Sequence, residues 1–279
     1  MDLNYIIRTK KFKTKKSLGQ NFLVDSNVID FIAKSTSSFD EILEIGPGIG
    51  FVTEKLLEKT KKVVAVEIDK EAIKELKKNL SSYDNLCLIE QDILKTNICS
   101  LPFEKEKIKV IANIPYYITS PILAHLLGEI DEETNPNRNK IEEIILMVQL
   151  EVAKRICADK NSKNKEYGQL SILCQMFCDC EIIKIVPKNC FSPVPKVDSA
   201  LVRFRVNEKP KVKITRLLKR TVSAIFNQRR KNIKNSLQNA GFLGVVEALE
   251  KIDIPKTLRG ENLSIEDIQK LSAALEEYN

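Results

Sequence analysis

Residues 108–123 read Ile-Lys-Val-Ile-Ala-Asn-Ile-Pro-Tyr-Tyr-Ile-Thr-Ser-Pro-Ile-Leu. The opening is a short apolar run rich in β-branched residues, the pattern of a buried strand. The run breaks at Asn113-Ile114-Pro115-Tyr116, because Pro115 removes a backbone donor and holds Ile114 out of the helical region. Ser120 then offers an N-cap and Pro121 a first helical position, with Ile122, Leu123, Leu126 and Leu127 on one face. Such a strand–turn–helix leaves an amide and an aromatic ring at the C-terminal end of a strand, where open α/β sheets bind ligands.

The same punctuation recurs upstream. Glu41-Ile42-Leu43-Glu44-Ile45 is a strand entering Gly46-Pro47-Gly48-Ile49-Gly50, and a helix with Val52, Leu56 and Leu57 inward follows. Glycine here lets the backbone approach a ligand closely. The spacing is Gly-x-Gly-x-Gly, not the Gly-x-Gly-x-x-Gly of nicotinamide and flavin enzymes. A second strand ends at Glu67, and because Asp69 caps the next helix, Glu67 is available to accept both hydroxyls of a ribose. Asp92 follows a third strand and can accept from an adenine amino group. With Gly46 and Gly48, these acids outline an adenosyl site. The glycine spacing and the Asn-Ile-Pro-Tyr turn favour S-adenosyl-L-methionine over NAD.

The turn itself suits methyl transfer to an exocyclic amine. The carbonyl of Asn113 and a neighbouring backbone carbonyl can accept its two N–H bonds, while Tyr116 stacks on the base. A methyl group already activated on a sulfonium needs neither metal nor nucleophilic side chain.

Downstream, residues 144–148, 181–186 and 200–206 read as three more strands. After Pro210 only helical patterns remain, over 214–226, 230–237, 243–249 and 265–275, the last capped by Ser264. The expected fold is α/β: a seven-stranded, mostly parallel, Rossmann-like sheet with a small C-terminal all-helical domain. The expected boundaries are a basic extension (1–16), a methyltransferase domain (17–208) and a helical RNA-binding domain (209–279).

Charge points to the partner. The net charge is +7, yet residues 209–246 hold ten Lys and Arg and no acid, and residues 1–16 hold six against one Asp. Two such segments are the footprint of a polyanionic partner. Seven cysteines and one histidine make neither a disulfide framework nor a zinc site, so no metal is expected. His125 lies off the apolar face of its helix and reads as a surface residue. Neither a transmembrane span nor a signal segment is visible, which implies a cytoplasmic protein without membrane association.

These motifs together resemble the ribosomal RNA adenine dimethyltransferases, and within them the bacterial small-subunit branch whose loss gives kasugamycin resistance. They are Gly19-Gln20-Asn21-Phe22-Leu23, Glu44-Ile45-Gly46-Pro47-Gly48, Asn113-Ile114-Pro115-Tyr116-Tyr117, Phe191-Ser192-Pro193-Val194-Pro195-Lys196-Val197-Asp198-Ser199 and Phe226-Asn227-Gln228-Arg229-Arg230-Lys231. The resemblance runs from about Ser17 to the end. It implies dimethylation of two adjacent adenosines in the 3′-terminal hairpin of 16S rRNA within the small ribosomal subunit, by a monomer using S-adenosyl-L-methionine. It also implies that Asn21 and Leu23 touch the cofactor, joining Gly46, Gly48, Glu67, Asp92 and Asn113. Asn113, Pro115 and Tyr116 would form the target-adenine pocket, Phe191 would stack on the base, and Arg229, Arg230 and Lys231 would meet RNA from a helix. Two other readings stay open: a 23S rRNA adenine methyltransferase of the macrolide-resistance type, and a non-catalytic ribosome-assembly factor.

Overall fold

A computed structural model of the chain describes residue 12 and residues 19–162 and 166–279. The strands are β1 (Phe22–Leu23), β2 (Glu41–Ile45), β3 (Lys62–Glu67), β4 (Leu86–Glu90), β5 (Ile108–Asn113), β6 (Ile141–Gln149), β7 (Cys178–Val186), β8 (Phe191–Ser192) and β9 (Ser199–Val206). Seven form one sheet in the order β4-β3-β2-β5-β6-β9-β7. The pairs β2/β3, β2/β5, β3/β4 and β5/β6 are parallel, and β6/β9 is antiparallel. This is the expected mostly parallel, seven-stranded sheet.

Strand order reverses between β2 and β5, so the crevice beyond their C-terminal ends is a topological switch point. Ile45 lies opposite Ala112, which brings the Gly46 turn opposite Asn113. β2 is buried along its whole length despite two glutamates. Glu41 is reconciled with burial by accepting the backbone N–H groups of Glu104 (2.8 Å) and Lys105 (3.0 Å). Glu44 has a different surrounding, described below.

Boundaries shift where no turn residue marks them. The helix after Pro115 begins at Thr119, before the expected cap Ser120, because a 3-10 turn over Tyr116–Ile118 winds straight into it. β7 starts at Cys178, ahead of the expected 181, since the helix Gln169–Phe177 passes into it without a loop. The C-terminal helices are Leu218–Asn227, Ile233–Asn239, Val245–Lys251 and Ile265–Leu275. In the last, Ser264 accepts from Asp267 N (3.1 Å) and Asp267 accepts from Ser264 N (2.9 Å). Arg229, Arg230 and Lys231 do not lie on a helix as expected. They form the turn between the first two helices, because Asn232 caps the second by accepting from Asn235 N at 2.8 Å.

The described residues fall into two compact units. One takes in the chain to Leu126 with Pro136–Ala153 and Glu181–Val206; the other takes in Leu127–Asn135, Lys154–Cys180 and Asn207–Asn279. The helical unit thus draws in two earlier segments besides the chain after Val206. Apart from residue 12, the basic extension lies outside the described residues, as do residues 17 and 18. The ring of Phe12 meets that of Phe22 edge-on at 5.6 Å. No helix among the described residues is long and apolar enough to cross a membrane, and no group of three or more His, Cys, Asp or Glu among them could hold a metal ion.

Candidate active site

A cavity of about 240 Å³ opens at the C-terminal ends of β2, β3, β4 and β5. Asn21, Leu23, Gly46, Gly48, Glu67, Asp92, Asn113, Pro115 and Tyr116, each expected at the site, all line it. Gly48 has φ +59°, and a Cβ there would sit 2.8 Å from the Phe22 ring, so both conformation and space demand glycine.

Glu67 is not idle, as the sequence suggested. Its Oε2 accepts from Gly48 N (3.0 Å) and its Oε1 from Ile68 N and Asp69 N (both 2.8 Å). The carboxylate splints the glycine turn to the end of β3, with acceptor capacity on Oε2 remaining for a ligand. Burial nevertheless lifts its pKa above the usual carboxylate value, against the pull of those three bonds.

Glu44 was not singled out from the sequence, yet it lines the same cavity at 3 % exposure. Its Oε2 has no hydrogen-bond partner among the described residues. Burial pushes its pKa up to about 8, with the Thr53 hydroxyl working against the rise and the charge of Glu67 adding to it. An acid inside a fully buried strand, two residues before a glycine turn, was the available signal: a carboxylate is seldom buried without a partner. Asp92 uses Oδ1 to accept from Leu94 N at 3.0 Å. The lining thus carries three carboxyl groups and no Lys, Arg or His among the described residues. Such a wall favours a cationic ligand and disfavours a pyrophosphate.

At the turn after β5, Ile114 is buried while Asn113, Pro115 and Tyr116 are half-buried and line the cavity. The Tyr116 hydroxyl is 2.6 Å from that of Ser199, a fully buried residue not anticipated at the site. Burial raises the Tyr116 pKa above its ordinary value, so the phenol stays neutral. Another wall is residues 19–23. The Asn21 amide donates to Gly19 O (3.1 Å) and the Gln20 amide to Asp69 (2.8 Å). β1 is held by antiparallel pairing with β8, Leu23 opposite Phe191 and Phe22 opposite Ser192.

That pairing corrects the expectation for Phe191. Its ring is 1 % exposed, belongs to the core cluster with Ile29, Ile42 and Leu201, and does not line the cavity. His125 also departs from expectation. It is half-buried, with Nε2 3.0 Å from Thr96 O. In the other unit, Arg229, Arg230 and Lys231 are all exposed, and the Arg229 guanidinium donates to the Tyr167 carbonyl.

Comparison with known proteins agrees with this geometry. The family described as "Ribosomal RNA adenine dimethylase" matches residues 11–277. A "Ribosomal RNA small subunit methyltransferase A" of Clostridium botulinum is 41% identical, over 98% of both chains. One of Clostridioides difficile is 42% identical, over 96% of this chain and 92% of its own. Among solved structures, a dimethyladenosine transferase from Plasmodium falciparum superposes with a TM-score of 0.76 at 28% identity, covering 92% of this chain and 98% of that one. The 23S rRNA methyltransferase ErmE gives 0.66 at 28%, covering 91% and 99%. With a family match over nearly the whole length and the glycine turn, acidic lining and Asn-Ile-Pro-Tyr turn gathered at one cavity, this chain belongs to the ribosomal RNA adenine dimethylase family.

Proposed function

We propose that the chain dimethylates the N6 amines of two adjacent adenosines in the 3′-terminal hairpin loop of 16S rRNA, using S-adenosyl-L-methionine. It would act as a cytoplasmic monomer on the small ribosomal subunit or its precursor. The observation that carries this reading is the Asn113–Tyr116 turn facing an acid-lined cavity beside the glycine turn. The relatives named for the small subunit, at 41% and 42% identity, favour that substrate over the large-subunit one represented by the 28% likeness to ErmE.

The residues present fit the cofactor. Its sulfonium and ammonium suit the unpartnered Oε2 of Glu44 and the neighbouring acids, and Glu67 holds spare acceptor capacity for a ribose. Gly46 and Gly48 keep the floor open, and Asn21 and Leu23 close one side. When bound, the cofactor supplies a methyl group already activated for displacement.

The rest falls to the turn. Asn113 accepts an N–H of the target amine through its amide oxygen, favouring a more tetrahedral nitrogen. Tyr116, its hydroxyl tied to Ser199, offers a ring in fixed orientation for the flipped base, and Pro115 sets the backbone between them. The gain comes from holding the amine roughly 3–3.5 Å from the methyl carbon in a site from which water is excluded. Unstacking an adenosine is cheaper in a loop than in a duplex.

Methyl transfer from labelled S-adenosyl-L-methionine to unmethylated small and large subunits tests the reading. Label in small-subunit RNA supports it, label in the large subunit supports the macrolide-resistance type, and none points to an assembly factor. Asn113→Ala at saturating cofactor should slow single-turnover transfer on the order of a hundredfold, with RNA binding retained.

A further inference from the structure

Four aromatic rings line the cavity: Phe22, Phe51, Tyr116 and Tyr117. Phe22 and Phe51 are buried, at 8 % and 3 % exposure. Tyr116 is anchored through its hydroxyl to Ser199. Tyr117 differs, being 66 % exposed at the cavity's rim.

The ring is exposed yet backed along one edge. A Cβ built on Gly19 would lie 3.4 Å from Tyr117 Cε1, 3.7 Å from its Cδ1 and 3.4 Å from Pro115 Cβ. The backbone at Gly19, at φ +58°, therefore lies against one edge of the ring and against the proline. Most of the ring remains open to solvent. Tyr116 and Tyr117 are also consecutive on a 3-10 turn, where successive side chains diverge by about a third of a turn. One ring is thus held toward the buried Ser199 and the next toward the rim.

We infer that Tyr117 is a stacking platform for the nucleotide adjacent to the one whose amine occupies the pocket. The inference rests on the RNA substrate proposed above. Drawing one base out of a loop strips its neighbour of a stacking partner. An aromatic face at the rim replaces that partner without reading base identity. Phe191 cannot serve, because its ring is in the core.

The test uses the full chain with Tyr117→Phe, Tyr117→Leu and Tyr117→Ala. Each is titrated with S-adenosyl-L-methionine by calorimetry and with a single-stranded oligoadenylate carrying one 2-aminopurine by fluorescence. Each is then assayed for kcat and KM on unmethylated small subunits. Leu and Ala should weaken oligoadenylate binding, and raise the subunit KM, roughly tenfold or more. Their cofactor affinity should be unchanged, and Phe should restore wild-type binding. The inference is overturned if Leu binds oligoadenylate as the wild type does, if the loss falls on cofactor affinity, or if Phe fails as badly as Ala. A wild type that leaves small subunits unmethylated while the oligoadenylate series separates Tyr from Leu would sink the substrate reading and leave the platform standing.

Discussion

The hydroxyls of Tyr116 and Ser199 lie 2.6 Å apart, joining the turn after β5 to the first residue of β9. Ser199→Ala should leave a part-buried phenol without its partner and free the ring to turn. A loss of about 1 kcal/mol is expected from one such bond, read as a several-fold fall in kcat with cofactor affinity unchanged. Ser199→Thr keeps the hydroxyl and should recover most of the rate. Equal rates for Ala and wild type would remove Ser199 from the positioning of Tyr116.

Glu67→Gln replaces one acceptor oxygen by a donor that must face a backbone N–H. Hydrogen bonds to charged groups are worth about 1.5–3 kcal/mol, so calorimetry should show cofactor affinity falling tenfold or more. The glycine turn loses its splint in the same variant, and the melting temperature should drop even without cofactor. Unchanged affinity in a folded variant would take the ribose role away from Glu67.

Phe191→Ala removes a ring from the core, and the expected cost is about 3–5 kcal/mol of stability. The melting temperature should fall by roughly ten degrees or more. Turnover measured well below the new midpoint should stay close to wild type. A strong loss of turnover in a protein of normal stability would return Phe191 to the site.

Glu44 makes stability depend on pH, with the sign set by its raised pKa. The ordinary value is 4.5 and the folded value about 8, so across that window the folded state holds a proton that the unfolded state has lost. Stability is fully present below the lower value and is lost as pH rises through the upper one. Glu67, also raised, contributes in the same direction. Glu44→Gln should therefore melt several degrees above wild type near about pH 9 and converge with it near about pH 5. Parallel melting curves across that range would show that Glu44 ionises without cost. Saturating cofactor should narrow the gap, because a cation stabilises the ionised carboxylate.

Arg229, Arg230 and Lys231 are all exposed on a turn, and Arg229 is in addition engaged with the Tyr167 carbonyl. Arg230→Gln with Lys231→Gln should flatten the salt dependence of subunit binding by roughly 0.7–0.9 in logarithmic slope per lost phosphate contact. Arg229→Gln should chiefly lower the melting temperature. A slope unchanged in the double variant would mean that RNA docks elsewhere.

Much of the fold was legible because its signals are local. Apolar runs end at Gly46, Glu67, Asp92 and Asn113, and each end is marked by a turn residue or an acid. Those same residues meet at the cavity because parallel strands bring their C-terminal ends together. What could not be read depends on pairing between distant segments. Phe191, flanked by a polar turn and two prolines, looks presented until Leu23 is placed opposite it. The divergence of Tyr117 from Tyr116 likewise needs the 3-10 turn. Glu44 was hidden by a different ambiguity, since one carboxylate in an apolar strand can be satisfied by the backbone of a distant loop, as Glu41 is by Glu104 and Lys105, or left for a ligand.

The pairing of β1 with β8 also bears on the order in which this protein becomes competent during synthesis. The segment that walls the cavity at Asn21 and Leu23 is fastened to residues that leave the ribosome some 170 positions later in the chain. A nascent chain ending before Phe191 already carries Gly46, Glu67, Asp92 and Asn113, but not the strand that seats Leu23 or the hydroxyl that anchors Tyr116. Long-range contacts of this kind form late. The cavity wall at Asn21 and Leu23 is therefore completed only once the chain has been made as far as β8.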